Sequence, residues 1–299
     1  MLSVTSNTNN EKKIIMLNYL KLIKPPILFS SLLSFSICYI LADTSGFHSI
    51  NTFTLAFFGI AFSAAGAAAL NHSQEKPYDI KMERTKHRPI ASGKITQKTG
   101  YIFSFTLIII GNTLLFITTN LLTTLLSLLT VCLYNACYTP LKRHSIYNTY
   151  LGSLPGALPA LCGWTASGES LSNPAAWSLF LIMICWQMPH FFAIDWIYKE
   201  QYKKAGFKML SSKDPSGKQS GYQSIAFSSL LIGLTLLPYH FKQLSFQLTL
   251  INISLAGLYL LTCIYFASLK TQKSAKICFR TSLIYLNILF LTLLIYNLN

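Results

Sequence analysis

Long apolar stretches alternate with short polar segments along the whole chain. Nine of these stretches are nearly free of charged residues and reach the length of about 18 residues that a helix needs to cross a bilayer. We therefore predict an all-α membrane protein, a bundle of nine transmembrane helices. The predicted helices cover residues 20–42, 52–70, 100–118, 121–138, 147–166, 175–197, 222–239, 244–269 and 277–298.

Composition agrees with this interpretation. Of the 299 residues, 52% are hydrophobic and 11% are charged, and the mean hydropathy is +0.44. The fifth predicted segment differs from the others because it carries Gly152, Pro155, Gly156, Pro159 and Gly163. Such a density would break a helix in water, but it is tolerated where neighbouring helices satisfy the freed backbone groups.

The formal net charge of +15 raises the question of a nucleic-acid partner, but its distribution favours a membrane. With the amino terminus inside, 23 of the 24 Lys and Arg residues fall on the inner side of the nine helices, and only Lys242 falls outside. Under the positive-inside rule this asymmetry predicts a cytoplasmic amino terminus. We expect the chain in the cytoplasmic (inner) membrane of a bacterium, with the lipid bilayer and no nucleic acid as its partner.

The amino-terminal residues do not look like a targeting signal. The first 16 lack the basic start, apolar middle and cleavage site of a signal peptide, so we predict a disordered cytoplasmic tail. This gives two regions, a tail over residues 1–18 and a single transmembrane domain over 19–299. The seven cysteines contain no CxxC pair, which favours helix packing over a zinc site or a disulfide framework.

Polar chemistry is concentrated in residues 71–95, directly after the second apolar stretch. Side chains with oxygen ligands recur every four residues at Asn71, Glu75 and Asp79, and a helix would place them on one surface. Ligands of this kind hold Mg²⁺ and share it with substrate phosphates. The basic residues that bind phosphate oxygens follow at once, at Arg84, Lys86 and Arg88. The spacing therefore predicts a metal-bound diphosphate at the end of a membrane helix.

Two observations weaken this prediction. A charged loop after a membrane helix is also what topology alone produces, so that reading stays open. In addition, Pro77 would lose its hydrogen bond to the carbonyl of Ser73 and clash with it. This favours a kink or a restart at Pro77, with Asp79 on a second short helix.

Two further clusters fall on the same predicted face. Tyr138, Lys142 and Arg143 at a helix end suit a diphosphate, although a loop that only sets topology explains them equally well.

The third cluster surrounds the end of the sixth segment. His190 and Asp195 lie there, and ionisable groups in a membrane segment are costly enough to suggest a function. Glu200 could face a second metal ion. The alternative is that Asp195 and Glu200 pair with loop lysines and that His190 is a hydrogen-bonded residue of the bundle.

At these residues the chain resembles a known family. The pattern N-x-x-x-(D/E)-x-x-x-D from Asn71 is similar to the intramembrane prenyltransferases of the UbiA superfamily. Four further motifs resemble the haem O synthases within it, in the same order along the chain. These are KMERTKHRPIASGKI (81–95), YTPLKR (138–143), GSLPGALPALCGW (152–164) and WQMPHFFAI (186–194).

The resemblance implies nine helices around a central cavity that opens to the cytoplasmic side. It implies farnesyl diphosphate and haem b as substrates, Mg²⁺ as cofactor and haem O as product, with haem A synthase or terminal oxidase assembly machinery as partners. The implied metal ligands are Asn71, Glu75 and Asp79. The implied leaving-group cations are Arg84, Arg88, Lys142 and Arg143, and the implied substrate contacts include Lys86, Tyr138, His190 and Glu200.

Three positions depart from the family pattern, and they keep alternatives open. Glu75 stands where Asp is more frequent, Pro77 where an additional Asp is common, and Gln201 where the second acidic patch usually has Asp. A prenyltransferase for a quinone or another aromatic acceptor would share the Asn-acid-acid pattern. A small-molecule transporter and an inactive assembly factor are the alternatives from other classes.

Overall fold

The computed structural model describes residues 13–42 and 50–298, and every regular element in this part of the chain is helical. In chain order the helices are α1 (residues 13–22), α2 (Pro25–Ala42), α3 (Ile50–Asp79), α4 (Gln97–Thr118), α5 (Leu121–Cys132), α6 (Thr139–Leu141), α7 (Asn148–Ala166), α8 (Trp177–Ile197), α9 (Lys199–Ala205), α10 (Lys218–Leu234), α11 (Leu237–His240), α12 (Phe246–Leu269) and α13 (Gln272–Leu298). A π-helical stretch, Leu133–Tyr138, joins α5 to α6.

Eight helices of the described part are long and apolar enough to cross a membrane. They match eight of the nine predicted segments, and the protein is accordingly an integral membrane protein. The predicted segment at 147–166 corresponds to α7, which is not among the eight. The reason is its composition, since α7 is rich in Gly, Pro, Ser and Thr. Most of its residues are buried, so few of them need to be apolar enough to face lipid.

Hydrogen bonds at its two ends show how α7 lies in the bundle. Near its start the Asn148 side chain donates to the backbone carbonyl of Lys208, at 2.9 Å. Near its end the carbonyl of Thr165 accepts from Asn120, in the turn between α4 and α5, at 2.6 Å. The helix therefore runs from one end of the bundle to the other. Its 19 residues span about 28 Å at 1.5 Å each, close to the thickness of a bilayer core.

Small residues bring α3 and α4 into close contact. A β-carbon at Gly111 of α4 would lie 2.5 Å from the backbone nitrogen of Ser63, and one at Gly66 of α3 would lie 2.7 Å from the carbonyl oxygen of Ser104. The Ala-Gly-Ala-rich end of α3, residues 64–69, therefore allows the two helices to pack closely. The largest apolar core lies among α2, α7, α8, α12 and α13.

The expected interruption at Pro77 does not occur, because α3 continues through it to Asp79. The carbonyl of Ser73, which proline leaves without its helical partner, accepts a hydrogen bond from the side chain of Gln97 at 2.9 Å. This bond from α4 removes the main penalty for a proline inside a helix. As a result Asp79 shares one helix with Asn71 and Glu75.

The amino-terminal prediction is wrong for residues 13–16, which belong to helix α1 and not to a disordered tail. The helix docks through Leu22, which is fully buried against Ile90 and Ile95 in the loop after α3. The rest of the predicted tail, residues 1–12, lies outside the described residues. Two of the cysteines, Cys263 and Cys278, pack with their sulfur atoms 3.7 Å apart between α12 and α13.

Candidate active site

Three oxygen-bearing side chains converge near the end of α3. Asn71, Glu75 and Asp79 are exposed by 0%, 4% and 2%, so all three point into the bundle and not into the surroundings. The continuous helix explains this arrangement, because residues four apart lie on one surface.

Each of the three is paired with a cation from a different segment. Lys24, which precedes α2, donates to the Asn71 amide oxygen. Lys142, which follows α6, donates to Glu75 at 2.8 Å, and Arg88 donates to both carboxylate oxygens of Asp79 at 2.8 Å. The polar cluster thus consists of three side chains whose oxygen atoms accept hydrogen bonds and three cations that donate them.

The electrostatic environment differs among these cations. Burial lowers the pKa of Lys24 well below its ordinary value, and the nearby charge of Arg88 lowers it further. Burial alone would also lower the pKa of Lys142 and Arg88, but the carboxylates of Glu75 and Asp79 outweigh it and hold both pKa values above the ordinary range. Lys24 is bonded to a neutral amide, so it is the cation with the most to gain from an incoming anion.

The donor set fits a single hard divalent cation. Arg88 Nη1 lies 2.8 Å from Asp79 and 3.7 Å from Glu75, so both carboxylates face a common point. Two carboxylates that face one point, with the Asn71 amide oxygen one helical turn from Glu75, are suitable ligands for Mg²⁺, which usually completes its shell with water and substrate phosphate. A metal ion at this point would displace the lysine and arginine side chains from these oxygens. A phosphate bound to the metal would then give each displaced side chain a new anionic partner.

Tyrosines and a threonine support this cluster. Thr139 accepts a hydrogen bond from the Asn71 amide at 2.9 Å and donates to the carbonyl of Tyr134 at 2.8 Å. The ammonium group of Lys142 lies 4.4 Å from the ring centre of Tyr138. That ring packs directly on Gly152 of α7, where a β-carbon would come within 2.6 Å of it. The glycine in the GSLPG motif therefore makes room for the tyrosine of YTPLKR.

Arg84 and Arg143 form an outer layer at the same end of the bundle. The Arg143 guanidinium donates to the carbonyl of Gln74 at 3.2 Å and lies 4.4 Å from the ring centre of Tyr78. Arg84 donates its backbone N–H to the Gln201 side chain at 3.0 Å and its guanidinium to the Tyr202 hydroxyl at 2.9 Å. Gln201, where the family usually has an acid, therefore anchors the loop that carries Arg84.

Two predicted substrate contacts lie outside the cluster. Lys86 is paired with Glu83 on the surface at 2.5 Å, and Glu200 is exposed on α9. Asp195 is bonded to Ser211 through both carboxylate oxygens, so it fixes a loop instead of pairing with a lysine. Within the described residues no group of three or more His, Cys, Asp and Glu side chains is arranged around a metal position. Asp195, which is held by Ser211, and the exposed Glu200 therefore do not combine into a second metal site of the kind expected from the sequence.

His190 lies between α8 and α13. Its Nδ1 is 2.7 Å from the hydroxyl of Ser282, and its ring packs against those of Trp186 and Phe279. The alternative interpretation of His190 as a hydrogen-bonded residue of the bundle therefore holds for one of its two ring nitrogens, Nδ1.

Sequence reasoning missed Lys24, Thr139 and Tyr202 as members of the site. The available signal for Lys24 was a cation next to Pro25 at the edge of an apolar run, which we interpreted only as topology. Its partner Asn71 lies 47 positions away, and no local spacing connects the two.

A membrane-embedded helical bundle with a buried cluster of oxygen donors and cations defines the class of protein. The sequence pattern of the UbiA prenyltransferase family matches residues 31–293 of this chain. The chain belongs to this family, which confirms the resemblance drawn from its motifs.

The curated relatives are more specific. A protoheme IX farnesyltransferase from Solibacter usitatus is 33% identical over 284 residues, covering 92% of this chain and 97% of the relative. Another from Salinibacter ruber is 34% identical over 269 residues, covering 90% and 94%. The haem-farnesylating branch suggested by the four motifs is therefore confirmed among the relatives.

Solved structures show the same fold. A digeranylgeranylglyceryl phosphate synthase superposes with a TM-score of 0.77 at 22% identity, over 95% of this chain and 98% of that one. A UbiA homologue from Archaeoglobus fulgidus bound to DMAPP and Mg²⁺ gives a TM-score of 0.66 at 15% identity, over 93% and 99%. At these identities the likeness establishes the fold, and the ligands remain properties of those proteins.

Proposed function

We propose that this prenyltransferase moves a farnesyl group from farnesyl diphosphate to a vinyl group of protohaem IX (haem b). The new carbon–carbon bond forms at the vinyl group, diphosphate leaves, and one water adds as a hydroxyl group and a proton is released, giving haem O. The observation that carries this proposal is the pairing of Asn71, Glu75 and Asp79 with Lys24, Lys142 and Arg88. The names of the curated relatives supply the acceptor.

The residues of the cluster have to stabilise a leaving diphosphate. When bound, Mg²⁺ would neutralise part of the developing charge and hold the phosphate in place. Asn71, Glu75 and Asp79 would hold this ion. Lys24, Lys142 and Arg88 then exchange their contacts on α3 for phosphate oxygens, and Arg84 and Arg143 add charge from the outer layer. Because Asp195 is held by Ser211 and Glu200 is exposed, we assign neither to a second metal, and we propose one metal ion and a larger share of the charge stabilisation for the cations.

Departure of diphosphate leaves an allylic cation that must be protected from water. Aromatic faces stabilise a cation without reacting with it. Tyr134 and Tyr138 are stacked with ring centres 5.7 Å apart beside Lys142 and Lys24, at the edge of the cluster. We propose that these rings face the first carbons of the prenyl chain.

The wider arrangement is part of the same proposal. We place nine crossings in a bacterial inner membrane, including α7, with the amino terminus and the cavity mouth on the cytoplasmic side. Residues 19–299 would form a single domain, and residues 1–18 would precede it. Haem A synthase or terminal oxidase assembly machinery would receive the product.

The proposal is tested with purified protein in detergent, haem b, farnesyl diphosphate and Mg²⁺, with pigments separated by chromatography and identified by mass. We expect a farnesylated, hydrated haem that disappears when EDTA is added. Asp79→Asn should lower its formation by about 100-fold or more, because a lost contact to a developing charge typically has this effect.

Glu83→Gln is the matched control, because Glu83 continues the four-residue spacing but is exposed and is paired with Lys86 on the surface. Its activity should equal that of the unchanged protein. A folded protein that binds haem but makes no new pigment would indicate an inactive assembly factor. Product formation only with a quinone precursor would indicate the other branch of the family.

A further inference from the structure

Among the described histidines, His190 alone has one ring nitrogen held by a buried side chain and the other accessible to a ligand. Ser282 determines the orientation of its ring. The Ser282 hydroxyl donates its single proton to the carbonyl of Phe279 at 2.6 Å. It therefore has only lone pairs to offer to His190 Nδ1, 2.7 Å away. With the hydroxyl proton on the Phe279 carbonyl, Nδ1 carries the ring proton, and this assignment leaves Nε2 with a free lone pair.

The ring is also held in place by packing. Its centre lies 5.1 Å from that of Trp186 and 4.8 Å from that of Phe279, with interplanar angles of 30° and 32°. Trp186 in turn donates its indole N–H to the carbonyl of Ser282 at 2.7 Å. One serine of α13 thus positions both the imidazole and the indole of α8.

Nε2 makes no hydrogen bond to any residue that the structure describes. An imidazole nitrogen without a partner is costly in a membrane interior unless a ligand uses it. His190 is half-buried, so a ligand has access to it. His72 provides the contrast, because it is 3% exposed and both of its ring nitrogens are sealed off without a partner.

The depth of His190 agrees with that of the cluster on α3. It lies seven residues before the end of α8, about 10 Å along the helix, and Asn71 lies eight residues before the end of α3, about 12 Å. Both helices end at the same side of the bundle, since Arg84 after α3 is bonded to Tyr202 of α9.

We infer that Nε2 of His190 is an axial ligand of the haem iron and so fixes the acceptor while its vinyl group faces the prenyl carbon. A histidine ligand typically donates its other ring N–H to a fixed acceptor, which is the role of Ser282 here. Phe191 and Phe279 are half-buried beside the ring and offer aromatic surface to a porphyrin, and the buried Trp186 supports the imidazole from the core. The inference rests on the proposed function, which supplies haem as the substrate.

Ferric and ferrous haem b titrated into the purified protein test this inference by absorption and electron paramagnetic resonance spectra. The unchanged protein should give the spectrum of an imidazole-ligated haem, and His190→Ala should lose it. Added imidazole should restore it in that variant. Ser282→Ala should keep the spectral type but weaken haem binding about 10- to 100-fold, as loss of such a supporting partner does.

His72→Ala and His240→Ala are the controls, and both should retain the ligated spectrum. An unchanged spectrum in His190→Ala, or its loss in His72→Ala, overturns the inference. If His190→Ala does not fold, unaltered haem affinity in Ser282→Ala overturns it. Farnesyl transfer is measured on the same samples. Transfer without His190 ligation refutes only the inference, and ligation without transfer refutes only the proposed function.

Discussion

Lys24 is the cation of the cluster whose partner carries no charge. Lys142 and Arg88 each face a carboxylate, whereas the ammonium group of Lys24 contacts the amide of Asn71 and, at 3.2 Å, the hydroxyl of Tyr134. A buried ammonium group without a counter-charge is costly. Binding of a diphosphate would remove this penalty, so Lys24 should contribute more to substrate binding than to folding.

Replacing this residue tests that expectation. Lys24→Met should weaken binding of farnesyl diphosphate with Mg²⁺ by about 10- to 100-fold, the range for a lost hydrogen bond to a charged group. Binding is measured by calorimetry or by competition with a labelled prenyl diphosphate. Thermal stability without ligand should stay equal or rise, since a buried charge is removed. Lys21→Met, an exposed lysine of α1, is the matched control, and equal losses in both variants would refute the role of Lys24.

The residues of the cluster differ in whether the spacing of nearby residues in the sequence predicts their place in it. Asn71, Glu75 and Asp79 were predictable because their positions on one helix follow from spacing alone. Lys24 and Thr139 come to Asn71 from distant segments, and nothing in a local pattern indicates such a pairing. Lys86 and Arg88 show the converse, because two cations only two positions apart end on the surface and in the cluster respectively.

At the scale of a helix, the continuity of α3 depends on a residue of α4. Pro77 leaves the carbonyl of Ser73 without a helical partner, and Gln97 supplies the missing donor at 2.9 Å. The restart at Pro77 that the sequence allowed does not occur, and the compensating side chain could not be foreseen because it lies 20 residues beyond the proline. The alignment of Asp79 with Glu75 is therefore a property of two helices together.

A double-mutant cycle measures this dependence. Gln97→Leu should lower the free energy of unfolding by about 1–3 kcal/mol, because it leaves a buried acceptor unpaired. Pro77→Ala supplies a backbone N–H for the same carbonyl, so Gln97→Leu should cost clearly less in that background. Unfolding in detergent, followed by heat or denaturant, gives the four values. The same cost in both backgrounds would show that Gln97 does not replace the helical bond.

Close contact between α3 and α4 gives a second prediction at this scale. Gly111→Ala places a β-carbon within 2.6 Å of both Ser63 N and Gly59 O, which should destabilise the protein by about 1–3 kcal/mol. Gly257→Ala on α12 is the matched control, since nothing lies within 4 Å of its β-carbon position. That variant should be neutral or slightly stabilising, because alanine favours a helix over glycine. Equal melting temperatures for the two variants would contradict the packing argument.

At the scale of the whole molecule, hydropathy predicted the elements well and their ends poorly. Eight segments were found because a membrane helix has to be apolar over its entire length. The end of α3 was missed by nine residues, since most of residues 71–79 are polar and five of them are nevertheless buried by other parts of the chain, namely Asn71, His72, Ser73, Glu75 and Asp79. Burial by neighbouring parts of the chain, which a single sequence does not display, explains why α3 continues into polar residues and why α7 can have a low hydropathy.

The crossing of α7 determines whether the chain has nine spans and which side its later loops face. His144 and Ser172 are exposed residues that flank this helix, before and after it. Single cysteines at these positions, in a background without the seven native cysteines, can be labelled in spheroplasts with a membrane-impermeant maleimide. We expect Ser172→Cys to react in intact spheroplasts and His144→Cys only after lysis. Reaction of both from one side would mean that α7 does not cross, and the reverse pattern would mean that the positive charges lie outside. The expected pattern would place Lys142, Arg88 and Lys24 at a cytoplasmic mouth, where a soluble diphosphate can leave while haem and the prenyl chain stay in the bilayer.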